Sequence, residues 1–401
     1  MQGSHRARLV VGISSRALFD LTRENEVYES EGLEKFRAYQ REHEKEILPP
    51  GGGFPLVRAL LRLNEAVSER AVDVVLTSKN HPDISHRIFN SIEHYKLSIG
   101  QAALTGGQPL APYLGAYYVN LFLTRDRADV QSAINAGVAA GLIYDLPGDV
   151  EMDLDEIRLA FDGDGVLFSD EADRVYQEKG LEPYFAYERD NAKRPLPDGP
   201  FAPMLRLIRS LQGAEQPKIR IRVALVTARN VQARERALRT LEAWEVRLDE
   251  GHFLGTIPKD SVLEIFSPHI FFDDREDHCR TAAMRVPTAE VLHPKEDEHA
   301  SKVQKRQLFL GEENRKSRFL LVCKAFLRKD YATGEDNLTL WYRDNLSSWP
   351  GDHTDRLIDE LEVSVKNTPR GEQRRAAGAS NDKITKLLGF LSPLARKHRP
   401  S

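Results

Sequence analysis

The chain has 401 residues, room for two or three domains, with 41% hydrophobic and 29% charged residues. Its formal net charge of −4 exerts no general pull on nucleic acid or on an anionic membrane, so neither is expected as a partner. Two cysteines, Cys279 and Cys323, argue against a disulfide framework and fit a reducing cytoplasm, and no apolar run approaches the roughly 18 residues of a membrane span.

In chain order, the opening "MQGSHRARLVVG" is too short and polar to read as a signal peptide and runs into a first strand, "RLVVGIS". A helical pattern follows in "PLVRALLRLNEAV", then strands in "VDVVLTS" and "VNLFLTR". The pattern returns as strand "IRLAF", helix "APMLRLIRSL", strand "RVALVT", helix "VQARERALRTLEAW" and strand "HIFFDD". Apolar strands without alternation, set between helices, imply a parallel sheet covered on both faces, with ligands at the carboxyl ends of its strands. Beyond residue 298 the pattern changes to amphipathic stretches that predict a mostly helical C-terminal extension over 298–401, with a linker at "TPRGEQRRAAGASNDK" and a short basic end.

The chain also repeats itself. The stretch from Val27, "VYESEGLEKFRAYQREHEKEILPP", aligns without a gap on "VYQEKGLEPYFAYERDNAKRPLPD" from Val175, a shift of 148 residues. "VVLTSKN" ending at Asn80 matches "ALVTARN" ending at Asn230, and "VNLFLTRD" matches "PHIFFDDR". Fixed-period similarity of this kind implies two copies of one α/β unit, expected over 8–145 and 155–295.

The second copy carries "LAFDGDGVLFSD", with Asp162 and Asp164 spaced around one glycine after an apolar run. An Asp-Gly turn is the plain reading. A calcium loop is excluded, because Val166, Leu167 and Phe168 stand where oxygen ligands belong. The third reading is phosphoryl transfer, in which one carboxylate attacks phosphorus, its neighbour handles protons, and magnesium offsets the collected negative charge. That chemistry also needs a hydroxyl, a lysine and further acids at strand ends. Thr227, Lys259 and the pair Asp273 and Asp274 follow in order. Each has a structural alternative: Thr227 as a helix cap, Lys259 as a solvated surface lysine, and Asp273 with Glu276 as a capping pair.

Taken together, "FDGDGVLFSDEAD", "VALVTARN" and "GTIPKDSVLEIFSPHIFFDD" resemble the haloacid dehalogenase superfamily and, within it, the cytosolic 5′-nucleotidase I family, as do "ISSRALFDL", "LTSKNH" and "LTGG" in the first copy. The resemblance covers roughly residues 8–280. It implies duplicated, Rossmann-like parallel-sheet units and magnesium-dependent hydrolysis of nucleoside 5′-monophosphates such as AMP in the cytoplasm. It further implies a nucleoside diphosphate effector; a homo-oligomer is also considered. Under it, Asp162 is the nucleophile and Asp164 the acid and base. Asp164, Gly165, Thr227, Ala228 and Lys259 contact phosphate, and Asp162, Asp164, Asp273 and Asp274 hold magnesium. A small helical cap is expected at about 171–215, with Phe185 a candidate for base contact and the repeated Tyr176, Tyr187 and Gly180 assigned to packing.

The first copy lacks this set. Ser14 stands at the place of Asp162, Arg16 at that of Asp164, Leu110 at that of Lys259, and Thr124 and Arg125 at those of Asp273 and Asp274, while Thr77 matches Thr227. Ser14, Ser15, Arg16, Thr77, Gly106 and Gly107 form a candidate effector or accessory site. Two other readings stay open: a phosphatase of the same superfamily acting on a sugar phosphate or modified nucleotide, and a nucleotide-binding regulatory protein.

Overall fold

The computed structural model describes residues 8–67, 70–146, 148, 155–212 and 219–294, all within one compact unit. The helical extension expected over 298–401, with Cys323, lies outside the described residues.

The described residues build a mixed α/β architecture on one ten-stranded sheet. In chain order the strands are β1 (Leu9–Ser14), β2 (Val72–Ser78), β3 (Gln101–Leu104), β4 (Leu121–Thr124), β5 (Ala139–Ile143), β6 (Glu156–Phe161), β7 (Arg220–Thr227), β8 (Glu250–Phe253), β9 (Ile270–Asp273) and β10 (Thr288–Glu290). Their spatial order is β3-β2-β1-β4-β5-β10-β9-β6-β7-β8. Each half therefore has its first strand in the middle, its second and third on one side, and its fourth and fifth on the other. Pairing is parallel inside each half, whereas β5 and β10 meet antiparallel through Ile143 opposite Ala289 and Leu142 opposite Glu290.

The central strands are the apolar runs of the sequence. Every residue of β1, β4 and β9 is buried, as expected for strands with helices on both faces. Helix Phe54–Ala66 buries Leu56, Val57, Leu60, Leu61 and Leu63, and helix Ala202–Gln212 buries Met204, Leu205, Ile208 and Leu211, an apolar stripe at helical spacing. Phe161 of β6 stacks on Phe272 of β9 at 5.3 Å between ring centroids, which fixes the floor beneath the second-half strand ends.

Four strands did not stand out in the sequence. β3, β5, β8 and β10 are three to five residues long and rich in Ala, Gly, Gln, Glu and His, so neither length nor β-branched content marks them. Two of these, β5 and β10, join the halves.

Between the first and second strands of each half run three matching helices: Thr22–Glu31, Leu33–Glu42 and Phe54–Ala66, preceded in the first half by the one-turn helix Ser15–Leu18, then Glu171–Lys179, Leu181–Asp190 and Ala202–Gln212. Gly32 and Gly180 separate the first two helices of each set at φ +82° and +83°. A left-handed backbone between two helices explains why glycine stands at both places.

Candidate active site

Lys259 is the centre of the second-half site. It opens helix Lys259–Phe266 directly after Pro258, and its side chain is buried rather than solvated. Its Nζ lies 2.9 Å from Asp162 Oδ1 and 2.6 Å from Asp273 Oδ2. Adjacent parallel strands bring the two carboxylates together: Phe161 pairs with Phe272, so the next residues, Asp162 and Asp273, face each other at the strand ends. Asp162 also accepts the Gly163 N–H at 2.7 Å, and Asp273 Oδ1 accepts the Arg275 N–H at 2.9 Å.

The electrostatics follow from burial. Desolvation pushes the Asp162 carboxyl well above the usual carboxylate range; Lys259 opposes the rise, and Asp273 and Asp274 add to it. Burial works the same way on Asp273, yet Lys259 and His278 outweigh it and hold that carboxyl low. Lys259 itself is raised, because Asp162 and Asp273 overcome the cost of burying its charge.

Asp162 and Lys259 open onto a cavity of about 620 Å³, whereas Asp273 lies fully buried behind them and is not in its lining. Asp162, Asp164, Thr227, Ala228, Lys259 and Asp274 all line it. Thr227 Oγ1 accepts the Arg229 N–H at 3.2 Å, while the nearby helical turn is capped by Asn230, so Thr227 is not the cap. Asp274 faces His293 Nε2 at 3.0 Å. Gly165 does not line the cavity. It sits at φ +75°, and a Cβ there would lie 2.3 Å from Asp274 Oδ2, so its bare backbone makes room for that carboxylate.

Three functional groups escaped the sequence reading. Arg229 is buried and binds Asp164 by a fork, Nε to Oδ2 at 2.7 Å and Nη2 to Oδ1 at 2.6 Å. Its third nitrogen donates to Glu188 of helix Leu181–Asp190. Glu188 in turn accepts from Arg236 at 3.1 Å, and Arg236 reaches Glu171 at 2.6 Å. His278 is the third: with Asp162 and Asp273 it offers ligand atoms that all lie within 4.8 Å of one another. Its Nδ1 is buried, 3.4 Å from Asp273 Oδ2, and makes no hydrogen bond. Arg229 and His278 stand two and five residues after the residues that were recognised, Thr227 and Asp273, and that proximity was the available signal.

The helices expected to cap the site contribute Tyr176, Leu181 and Tyr184 to the lining. Tyr176 and Tyr184 meet edge to face at 6.0 Å. Phe185 packs against the core and is not in the lining, so the aromatic surface of the cavity comes from other residues than the one singled out.

In the first half, Ser14, Ser15, Arg16, Gly106 and Gly107 share a separate cavity of about 450 Å³, the first cavity in chain order. Thr77 is outside that lining, and its buried hydroxyl has no hydrogen-bond partner. Leu110, at the place of Lys259, is buried.

A 5′-nucleotidase family profile matches residues 1–298. The chain belongs to the 5′-nucleotidase family. It is 38% identical over 286 residues to human cytosolic 5′-nucleotidase 1B, covering 68% of this chain and 47% of that protein. The chain thus spans about half the length of this curated relative. No solved structure matches it. Both cavities of this family member, and every site residue named above, fall inside the matched region. No helix among the described residues is long and apolar enough to cross a membrane.

Proposed function

We propose that the chain is a magnesium-dependent 5′-nucleotidase that hydrolyses nucleoside 5′-monophosphates through an aspartyl-phosphate on Asp162. In this reading the halves are duplicated haloacid dehalogenase-like units, of which the second is active. The repeated strand order supports the duplication. The observation that carries the function is the buried set Asp162, Lys259 and Asp273 at the ends of neighbouring strands, with Asp164 beside it in the same cavity.

The donor set fits a hard divalent cation. Two buried carboxylates face one ammonium group, Asp274 adds a further carboxylate, and magnesium takes oxygen ligands. Asp162, the Asp164 main-chain carbonyl, and Asp273 or Asp274 would hold the ion, which supplies neutralisation of the phosphoryl oxygens when bound.

The chain's own groups then divide the work. Asp162 attacks phosphorus as the bond to the 5′-oxygen breaks, and Asp164 gives that oxygen a proton. Asp164 next takes a proton from water as water attacks the aspartyl-phosphate, which returns Asp162 and releases phosphate. Thr227 and the Ala228 N–H hold phosphoryl oxygens, and Lys259 offsets the charge that builds on them. Helices Glu171–Lys179 and Leu181–Asp190 act as the cap, with Tyr176 and Tyr184 presenting aromatic surface to the base. The human relative's name and the two sparse cysteines support a cytoplasmic setting.

The test is phosphate release from a panel of nucleoside and sugar monophosphates. Turnover of nucleoside 5′-monophosphates that vanishes in Asp162→Asn supports the reading. Preference for sugar phosphates moves the chain to the other phosphatase class, and nucleotide binding without turnover makes it a binding protein.

A further inference from the structure

The two cavities are lined by matching positions. Ser14 and Asp162, Arg16 and Asp164, Asn25 and Asp173, Lys79 and Arg229, and Arg125 and Asp274 are five such pairs. Four carboxylates of the second cavity are thus replaced in the first by Ser, Asn and two Arg. Asp and Glu against Lys and Arg in the lining stand at five against three in the second-half cavity and at three against three in the first-half cavity.

The acids that remain in the first cavity are already held. Lys79 Nζ lies 2.9 Å from both Asp126 and Asp129, and Glu24 is in a buried pair with Arg87. Arg125 binds Asp145. Arg16 makes no hydrogen bond or ion pair among the described residues, and both burial and the facing Arg125 work against its charge. Hydroxyls of Ser14, Ser15 and Ser78 lie in the same lining. An oxyanion would relieve the repulsion between the two arginines and fill the donor sites at once.

The other end of the cavity is aromatic. Tyr28 and Phe36 meet edge to face at 5.6 Å, as Tyr176 and Tyr184 do at 6.0 Å in the second cavity. Beside them the buried Gln40 points an unpartnered Oε1, where the second half has Glu188 bound to two arginines. A free amide oxygen in a lining is an acceptor awaiting a donor, such as a base amino group.

The geometry points to a second, non-hydrolytic nucleotide site in the first half, with phosphate at Arg16 and the strand-end serines and the base against Tyr28 and Phe36. Its volume of about 450 Å³ lies in the range of small-molecule sites. No carboxylate stands at the positions of Asp162 and Asp164, so a bound nucleotide is kept intact. The site also lacks the acids of the magnesium set, so it works without metal. It stands apart from the hydrolase reading, because nothing here depends on turnover.

The experiment is calorimetric titration of AMP into the full chain in EDTA. One saturable site per chain is expected, weakened about tenfold or more by Arg16→Ala, the scale of one hydrogen bond to a charged group. Tyr28→Ala should weaken AMP but leave inorganic phosphate unchanged, which separates a nucleotide site from a bare anion site. Tyr176→Ala, at the rim of the other cavity, should leave the Arg16-dependent binding of both unchanged. Arg16 and Tyr28 are both exposed, so these variants retain the fold. Absence of binding in EDTA, binding lost in Tyr176→Ala but kept in Arg16→Ala, or AMP affinity indifferent to Tyr28→Ala would each overturn the proposal.

Discussion

Asp164 is gripped by Arg229 through both of its carboxylate oxygens, at 2.6 and 2.7 Å. Arg229 is gripped in turn by Glu188, which stands on the helix that lines the other side of the cavity. The position of the proposed acid and base is therefore tied to the position of that helix. To deliver a proton to a leaving oxygen, Asp164 must give up one of its two bonds to Arg229, so substrate entry and helix position are mechanically coupled.

This network is also structural, and its failure has a predictable size. Arg229→Ala leaves Glu188 as a charge with only Arg236 beside it, both almost fully buried. Breaking a buried pair by removing one partner costs about 3–5 kcal/mol. Chemical denaturation of Arg229→Ala should show a loss of that order, and Glu188→Gln a smaller one, since the amide oxygen still accepts from one of the two arginines and no uncompensated carboxylate is left buried. Equal stability of all three proteins would remove the network from the folding ledger.

The chemical prediction concerns Asp162. Asp162→Asn is nearly isosteric and should keep the fold by circular dichroism while turnover falls about 10⁴-fold or more, the scale seen when one member of a reacting set is removed. Asp164→Asn should also block turnover. Beryllium fluoride with magnesium should inhibit the wild-type protein by imitating phosphate on Asp162. Substantial activity in Asp162→Asn would sink the mechanism.

Much of this was legible in the sequence because the chemistry sits where apolar runs stop. Asp162, Thr227 and Asp273 each end or follow a buried strand, so the pattern of hydrophobicity places them at one edge of the sheet. Arg229, Glu188 and His278 were not legible in the same way. Charged residues in "TARN", "FAYERD" and "REDHC" carry no mark of burial in the sequence, and the packing of helix Leu181–Asp190 against the turn Val231–Ala233 and helix Arg234–Ala243 encloses the Arg229–Glu188 pair. The short strands β5 and β10 were missed for the converse reason: what makes them strands is the partner across the seam.

Metal removal gives the next test. Chelation should stop catalysis and added magnesium should restore it. Asp273→Ala should abolish activity, since it removes a carboxylate and leaves Lys259 with Asp162 alone. His278→Ala should raise the magnesium concentration needed for half-maximal rate without abolishing turnover. Full activity in EDTA would return Asp273 and His278 to a purely structural role.

Gly165→Ala tests the close approach at Asp274. The backbone at φ +75° costs an alanine about 1–2 kcal/mol, and the new methyl would displace the Asp274 carboxylate from 2.3 Å away. Lower thermal stability and a weakened magnesium response should appear together. A neutral substitution would mean the loop relaxes freely.

The buried thiol of Cys279 offers a pH test. Burial pushes it far above its ordinary range, with Asp273 adding to the rise. The thiol therefore stays protonated across the neutral and mildly alkaline range in the folded protein and regains normal acidity on unfolding. In a Cys323→Ser background, a thiol reagent at pH 8 should leave Cys279 unmodified until denaturant is added. Rapid labelling of the folded protein would contradict its burial.

The antiparallel seam between β5 and β10 is only two residue pairs wide, yet it decides which edges of the sheet meet water. Split there, each half would be a five-stranded sheet with one inner edge stripped of its partner, and unpaired edges invite pairing with other chains. Joined, only β3 and β8, four residues each, remain as outer edges among the described residues. The first half is thus also a shield for the second. A fragment confined to the second half should be prone to self-association, and supplying the first half as a separate chain should keep it in solution.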